Sequence, residues 1–405
     1  MLKKLSWGHT ILSTPGPTPI PDLTLHAVHQ QAIDIYGQDA IELTDRCKAG
    51  LRAVFGTSGE VFINIANGHG SWESVLTNLF GKGDKLLILA GGRFPGLWAE
   101  MATKLGLDVE VFPGDWRYAT DVAQLELRLR QDRDHAIRGV LAVHVDTAAS
   151  IANDIPAISR AVANASHPAL LVVDAIASLA TAPFEMDQWG VDVAISASQK
   201  GLMMSPGLSF VAANAKALDA HRHADLRTPY WDWTDRLGIE HYKVYCGTAA
   251  IQSLLGLDHS LHLIQSEGLE NIIERHRIVA SAVHAAIEEW SKGSMIEFNV
   301  KHASERSASV TTILVNDNSS AQKIRDICRD QFNVILGSGM GHLKARTFRI
   351  AHMGYFNPAA VLGVLAAVEA SLVALDLPCG QGGVARAIAV LAKTCRADTT
   401  DQNSM

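Results

Sequence analysis

Short runs of apolar residues alternate with helical stretches over positions 60–215 of the chain. The runs are mostly continuous, which is typical of strands covered on both faces. Helical patterns over Ser71–Phe80 and Asp154–Ala165 lie between them, so the spacing predicts βαβ units in a mostly parallel sheet. Gly207 favours a tight return that makes one late strand antiparallel. The predicted strands are Val61–Ile65, Leu86–Leu89, Val140–Val143, Leu170–Val173, Val191–Ile195 and Leu208–Val211.

The pattern changes after about position 250. A long amphipathic helix over Leu269–Trp290 precedes a strand at Val310–Val315 and an apolar segment at Phe348–Ile350. We therefore predict an α/β protein with a large sheet domain at 23–255 and a smaller α+β domain at 256–391. The proline-rich residues 1–22 are expected to be extended, and the polar tail at 392–405 to be disordered.

Composition narrows the class of function. The 405 residues are 48% hydrophobic and 19% charged, as in soluble globular proteins with a large core. A net charge of −7 without a basic block argues against nucleic-acid and anionic-membrane binding. No signal peptide or membrane-spanning apolar stretch is evident, so a cytoplasmic protein is expected. The five cysteines contain no C-x-x-C, and His221-x-His223 lacks a third ligand, so no metal site is predicted.

Chemically useful residues follow five of the predicted strands. Ligands of open α/β sheets collect at the carboxyl ends of the strands. These ends carry Asn67–Gly70, Gly91–Phe94, His144–Asp146, Asp174 and Lys200. Their shared position predicts one binding site at this edge of the sheet.

Lys200 and Asp174 suggest the chemistry of that site. A lysine past one buried strand and a carboxylate at the end of another suit pyridoxal phosphate (PLP). The lysine would form the Schiff base, and the aspartate would keep the pyridine nitrogen protonated. The alternatives are a surface lysine in a loop and an aspartate that caps the next helix.

Three further segments have a functional and a structural interpretation. The turn before Ser71 could bind phosphate through the backbone N–H groups of Gly68, His69 and Gly70, or could be a helix cap without a ligand. Phe94 could stack on a pyridine ring or belong to the core. Arg349 could clamp a substrate carboxylate or form a structural ion pair.

Eight segments together resemble the class V PLP-dependent aminotransferases of fold type I, and in particular the serine/alanine–glyoxylate aminotransferases. The similarity runs from about Ser13 to Leu391. The segments are Pro15–Pro21, Gly68–Ser74, Gly92–Phe94, His167–Asp174, Met186–Ala194, Ser198–Gly201, Glu267–Asn271 and Phe348–Gly354.

The resemblance implies a role for particular residues. Lys200 would be the Schiff base and proton carrier, Asp174 would contact the pyridine nitrogen, and Phe94 would stack on the ring. A homodimer that shares its active sites is also implied. The phosphate would be held by Gly68, His69 and Gln199, with Tyr245 and Thr248 reaching it from the neighbouring subunit. The substrate would be bound by Gly16, Thr147 and Arg349.

Two positions depart from the family pattern. Asn67 stands where glycine or a small hydroxyl residue is usual, and Ser150 stands where glycine is usual. Both lie near the predicted cofactor or substrate, so both bear on the choice of amino donor.

The implied reaction is ping-pong transamination through pyridoxamine phosphate, from a small amino acid to glyoxylate or pyruvate. Serine, alanine, aspartate and ureidoglycine are candidate donors. One alternative is a PLP lyase of the cysteine-desulfurase type, which needs a histidine before the lysine and a reactive cysteine on a mobile loop. Here Gln199 precedes Lys200, and Cys328 lies in a helical pattern. A second alternative is a non-catalytic PLP-binding protein.

Overall fold

The structure, a computed structural model, describes residues 6–238 and 240–401 of the chain. The strands in this part of the chain are β1 Ile11–Ser13, β2 Glu60–Ile65, β3 Lys85–Leu89, β4 Asp108–Phe112, β5 Ile137–Val143, β6 Val145–Asp146, β7 Ile151–Ala152, β8 Leu170–Asp174, β9 Val193–Ala197, β10 Leu208–Ala213, β11 Ile296–Phe298, β12 Val310–Val315, β13 Val334–Ser338 and β14 Thr347–Ala351. The α-helices are α1 Asp22–Val28, α2 Gln38–Phe55, α3 Gly68–Leu79, α4 Arg93–Lys104, α5 Val122–Gln131, α6 Ile155–Asn164, α7 Ala215–His223, α8 Trp233–Arg236, α9 Ile251–Glu267, α10 Leu269–Trp290, α11 Ser320–Phe332, α12 Pro358–Ala374 and α13 Gly383–Asp401.

The large sheet has seven strands in the order β2-β10-β9-β8-β5-β3-β4. Only β10 runs antiparallel to its neighbours β9 and β2, as the glycine before it predicted. The α/β class and the mostly parallel sheet are therefore confirmed. Because the other six strands share one direction, the turns that follow β2, β3, β5, β8 and β9 all lie at the same edge.

Both faces of this sheet are covered, which explains the continuous apolar runs. Along β3, Leu87 and Leu89 belong to one buried cluster, whereas Leu86 and Ile88 belong to the cluster on the other face. Helices α2, α5 and α6 supply the first cluster, and α3, α4 and α7 supply the second.

A smaller sheet of five strands, in the order β1-β13-β14-β12-β11, packs against α10 to α13. The N-terminal strand β1 pairs in parallel with β13, so the predicted extended segment is part of this second unit. The division of the chain into two domains stays a prediction. We propose a boundary near Gly268 rather than 255, because α9 packs against α1 and α2 of the large unit.

Helix α13 covers much of the predicted polar tail. It reaches Asp401, so positions 392–401 are helical rather than disordered, and positions 402–405 lie outside the described residues. The helix forms because Ala387 and Leu391 bury an apolar side in the smaller cluster. Among the described residues, no helix combines the length and the apolar character needed to cross a membrane.

Candidate active site

A pocket of about 200 Å³ opens at the edge of the large sheet where the parallel strands end. Seven residues predicted for the site line it, namely Gly68, His69, Phe94, Thr147, Asp174, Gln199 and Lys200.

Asp174 is the last residue of β8, and its side chain is buried within the pocket wall. Trp72 Nε1 donates to one carboxylate oxygen at 2.8 Å, and the backbone N–H of Ile176 donates to the other at 2.8 Å. Burial raises the pKa of Asp174 to about 7, although both donors and the charge of Lys200 oppose the shift. A positively charged group in the pocket would restore the ionised carboxylate.

Lys200 follows β9 and is half-buried in the pocket. Burial, followed by the positive charge of Arg349, lowers its pKa to about 8, while the charge of Asp174 acts in the opposite direction. Its ammonium group donates to the carbonyl oxygen of Pro15. A lysine with this pKa carries a large neutral fraction slightly above neutral pH, as a nucleophile requires.

The N-terminal segment is hydrogen-bonded to the backbone of Gln199 and Lys200. Thr18 Oγ1 donates to the carbonyl of Lys200 at 3.1 Å, and the Thr18 N–H donates to the carbonyl of Gln199 at 3.2 Å. Gly16 has a φ of +97°, and a Cβ at this position would overlap the Lys200 side chain. Gly16 therefore lies against the Lys200 amine, and its role in substrate binding stays a prediction.

The start of α3 also lines the pocket. Asn67 is the N-cap residue, and its Oδ1 accepts the N–H of His69 at 3.1 Å and that of Gly70 at 3.4 Å. The Gly70 N–H also donates to the Asn67 carbonyl, and Gly70 packs towards Trp231, so it lies outside the pocket. Gly68, the side chain of His69 and the Asn67 amide nitrogen are thus better placed for an anion than Gly70 is.

Gln199 also lines the pocket. Its Oε1 is buried and has no hydrogen-bond partner within the described part of the chain. Buried polar atoms are normally paired, so this amide marks a place where a polar ligand is expected. His69 lies beside Trp72, with ring centroids 4.5 Å apart, and burial lowers its pKa, so the ring is a neutral hydrogen-bonding group.

Sequence reasoning missed the role of Asp146, although it placed this residue at the correct strand end. Asp146 is buried and accepts the N–H of Phe94 at 2.9 Å and those of Ala148 and Ala149 at 2.8 Å each. Burial raises its pKa despite these three donors. Asp146 therefore fixes Phe94 in the pocket wall. Trp72, which holds Asp174, was also missed, because an apolar residue inside a helix gives no signal of such a role.

Arg349 lies on β14 beside this turn. Its Nη1 donates to the Thr147 carbonyl at 2.8 Å, and its Nε donates to the Ser338 carbonyl at 2.7 Å. Burial lowers its pKa to about 10, and the charge of Asp146 acts in the opposite direction. Among the described residues it forms no salt bridge, which argues against the structural ion pair and leaves a charge for a ligand.

Tyr245 and Thr248 do not reach this pocket. Tyr245 is buried in the core of its own subunit, and its hydroxyl lies 2.8 Å from Thr44 Oγ1. Thr248 is exposed on the following turn. In the single subunit Thr248 is exposed and Tyr245 is not, and the contact of both residues with a neighbouring subunit stays a prediction.

Ser150 lies behind the pocket rather than in it. It has a left-handed φ of 68°, which glycine adopts without strain, and its Oγ donates to Thr312 Oγ1 at 2.5 Å. Its hydroxyl therefore ties the turn after β6 to β12 of the smaller sheet. The departure from the family pattern affects the support of the site and not its lining.

Known proteins resemble the chain over most of its length. The family described as "Aminotransferase class-V" matches residues 23–356. A serine–glyoxylate aminotransferase of Methylorubrum extorquens is 36% identical over 90% of this chain and 92% of its own. An L-aspartate–glyoxylate aminotransferase of Paracoccus denitrificans is 35% identical over 92% of this chain and 94% of its own. The crystal structure of a ureidoglycine–glyoxylate aminotransferase from Bacillus subtilis shares the fold, with a TM-score of 0.86, 24% identity, and coverage of 96% of this chain and 100% of that one.

Proposed function

The chain belongs to the class-V aminotransferase family and is an aminotransferase, and from this premise we propose that it transfers the amino group of a small amino acid to glyoxylate or pyruvate with PLP as its cofactor. One observation carries the proposal. Lys200 and Asp174 lie in one buried pocket at the ends of adjacent parallel strands, and each shifts the pKa of the other. Glyoxylate is favoured as the acceptor because serine, L-aspartate and ureidoglycine enzymes similar to this chain all carry glyoxylate in their names.

The residues of the pocket fit PLP. Asp174 would hold the ring nitrogen, Phe94 would pack against the ring, and Lys200 would bind the aldehyde carbon. The amide nitrogens of Gln199 and Asn67 and the N–H groups at the start of α3 would hold the phosphate. When bound, PLP supplies an electron-poor ring that takes up the electrons released as the substrate loses its α-proton.

The chain itself positions the substrate and moves the proton. Arg349 binds the α-carboxylate, because its guanidinium is buried beside Thr147 and lacks a salt-bridge partner in the described chain. This contact aims the α-carbon at Lys200 Nζ. With a pKa of about 8, the neutral amine can accept the α-proton and later return it at a different carbon. Asp174, once paired with a cation, stays ionised and stabilises positive charge at the far end of the pocket.

The amino-acceptor assay tests this proposal. Purified protein with PLP is offered serine, alanine, aspartate and ureidoglycine with glyoxylate, and serine, aspartate and ureidoglycine with pyruvate, and glycine or alanine formation is measured. Lys200→Ala is expected to lower turnover by about 100- to 10,000-fold. Lys104→Ala, an exposed lysine on α4, is the matched control. Full turnover by Lys200→Ala, or no product with any pair of substrates, would overturn the proposal.

The lyase alternative has less support from the geometry. Cys328 is buried in α11, and burial raises the pKa of its thiol to about 11, so it is neither mobile nor reactive. Gln199 occupies the position before the lysine. Release of sulfide from cysteine, measured in the same preparation, separates desulfuration from transamination. A spectral change on adding an amino acid without any product would instead favour a non-catalytic PLP-binding protein.

We also propose a cytoplasmic homodimer. Support for self-association comes from the exposed apolar side chains of Leu23, Tyr36 and Tyr242, which are 60%, 71% and 42% exposed in the single subunit. Sedimentation of the purified protein, with and without PLP, measures the assembly. A monomer at micromolar concentration would contradict a shared active site.

A further inference from the structure

Arg93 is a cation beside the pocket to which neither the family resemblance nor the proposed reaction gives a role. It is the first residue of α4, and it lies between two residues that contact Asp146. Gly92 packs so closely on the Asp146 carboxylate that no side chain fits there, and the Phe94 N–H donates to Asp146 at 2.9 Å. The backbone of Arg93 is therefore held rigidly at the edge of the site.

The Arg93 side chain extends towards the smaller sheet. A Cβ placed on Gly341, in the loop between β13 and β14, would lie 3.8 Å from Arg93 Cδ and 2.8 Å from the Trp116 ring. Arg93 thus crosses from the large sheet to the loop that precedes Arg349. Both arginines are linked to the Asp146–Thr147 turn: the two chain neighbours of Arg93 contact Asp146, and Arg349 donates to the Thr147 carbonyl.

Within the described residues, Arg93 makes no hydrogen bond, ion pair or ring contact, although it is half-buried. Nearby acidic groups are already engaged. Asp146 accepts three backbone N–H groups, and Asp115 accepts the N–H of Arg117. Among the described residues, Arg93 and Arg349 thus carry two guanidinium groups without salt bridges, and both residues are tied to the Asp146–Thr147 turn, whose Thr147 lines the pocket.

From this arrangement we infer that Arg93 binds a second, distal carboxylate of the amino donor, so that the enzyme acts on a dicarboxylic amino acid such as L-aspartate. The inference rests on the proposed transamination and selects its donor. Arg349 takes the α-carboxylate and Arg93 takes the side-chain carboxylate, each with the planar fork of a guanidinium. A donor with a neutral side chain, such as alanine or serine, has no second carboxylate for Arg93 to bind. Its binding is therefore not strengthened by Arg93.

The test compares donors in wild-type enzyme, Arg93→Gln and Arg93→Lys, all with PLP and glyoxylate. We expect Arg93→Gln to lower kcat/KM for L-aspartate by about tenfold to a hundredfold relative to its effect on L-alanine. Arg93→Lys keeps the charge and should recover part of this loss. Arg138→Gln, an exposed arginine at the amino end of β5, is the matched control and should change neither donor.

Binding of succinate gives a readout that does not depend on turnover. Succinate should protect the wild-type enzyme against thermal unfolding at lower concentrations than propionate does, and Arg93→Gln should abolish the difference. Serine or alanine turnover with no preference for aspartate, or an equal loss for all donors in Arg93→Gln, overturns the inference and leaves the proposed function intact. If no donor reacts, the proposed function fails, and equal succinate binding by wild type and Arg93→Gln then also rejects the role of Arg93.

Discussion

Arg349 and Thr312 lie directly opposite each other on β14 and β12, and both side chains hold the turn that follows β6. Arg349 donates to the Thr147 carbonyl, and Thr312 Oγ1 donates to the Ala148 carbonyl at 3.0 Å while accepting from Ser150. The predicted carboxylate clamp is therefore anchored to the large sheet through a neighbouring pair of hydroxyl contacts. The position of Arg349 therefore also depends on Thr312 and Ser150, which lie outside the pocket lining.

Thr312→Val tests that dependence. The substitution keeps the shape but leaves the Ala148 carbonyl and the Ser150 hydroxyl without their partner in a buried region, which should lower the free energy of unfolding by about 1–3 kcal/mol. Because Arg349 loses its support, KM for the amino donor should rise more than kcat falls. Urea unfolding and steady-state kinetics measure the two effects. Thr311→Val, on the opposite side of the same strand, is the control and should leave KM unchanged. Equal values of KM in the two variants would contradict the role of Thr312 in anchoring Arg349.

Charge substitutions around Lys200 should move its pKa in opposite directions. Arg349→Gln removes a positive charge that lowers this pKa, so the value should rise from about 8. Asp174→Asn removes a charge that raises it, so the value should fall. The measurement is the rate at which protein stripped of cofactor captures PLP, followed by absorbance against pH. This rate should increase as Lys200 loses its proton, with a midpoint near pH 8 in the wild type. If the pH midpoints of Arg349→Gln and Asp174→Asn shifted in the same direction, the charges of Arg349 and Asp174 would not act on the pKa of Lys200.

Gly16→Ala should impair capture of PLP by Lys200. The new methyl group would overlap the lysine side chain, and the φ of +97° is strained for any residue with a Cβ. Gly8→Ala is a matched control, because Gly8 also has a positive φ of +129° but has open space around it. We expect Gly16→Ala to slow PLP capture at least about tenfold, which corresponds to about 1.4 kcal/mol. If Gly16→Ala and Gly8→Ala captured PLP at equal rates, backbone strain alone would explain the effect, and contact with the Lys200 side chain would not.

Much of the fold could be predicted because the large sheet is covered on both faces. Continuous apolar runs located β2, β3, β5, β8, β9 and β10, and the helix over Leu269–Trp290 has the predicted bounds. Strand β4 was missed. Asp108–Phe112 lies at the sheet edge, where one face meets solvent, so its apolar residues alternate with charged ones and give no continuous run.

The candidate site was predictable only where residue type and strand end coincide. Lys200, Asp174, Gly68 and Phe94 all follow strands, and the structure brings them to one pocket. The contacts that support them arise from tertiary packing. Trp72 reaches Asp174 from a helix, and Ser150 reaches Thr312 over 162 positions of sequence. Neither contact leaves a local pattern in the chain.

Three histidines of the smaller unit, two buried and one half-buried, make its stability depend on pH in the acid range. Burial lowers the pKa of His276 to about 4 and those of His284 and His352 to about 3. In the unfolded chain each would titrate near about 6.5, so between these values the unfolded state binds more protons than the folded state. The stability that the folded protein gains by keeping these histidines neutral is fully present above about pH 6.5 and is lost as the pH falls towards 4. Each histidine can cost up to about 1.4 kcal/mol per pH unit within this window.

Urea unfolding at pH 7.5, 6.0 and 5.0 measures this loss, and His284→Leu isolates one histidine. Within the described residues His284 Nε2 has no hydrogen-bond partner, so the substitution removes a buried polar atom and keeps most of the volume. Asp174, whose pKa is raised to about 7, opposes the trend in both proteins and cancels in the comparison. We expect His284→Leu to lose less stability than wild type between pH 6.0 and 5.0. His302→Gln, at an exposed histidine, should behave as wild type, and equal slopes in all three proteins would show that His284 does not contribute to the acid sensitivity.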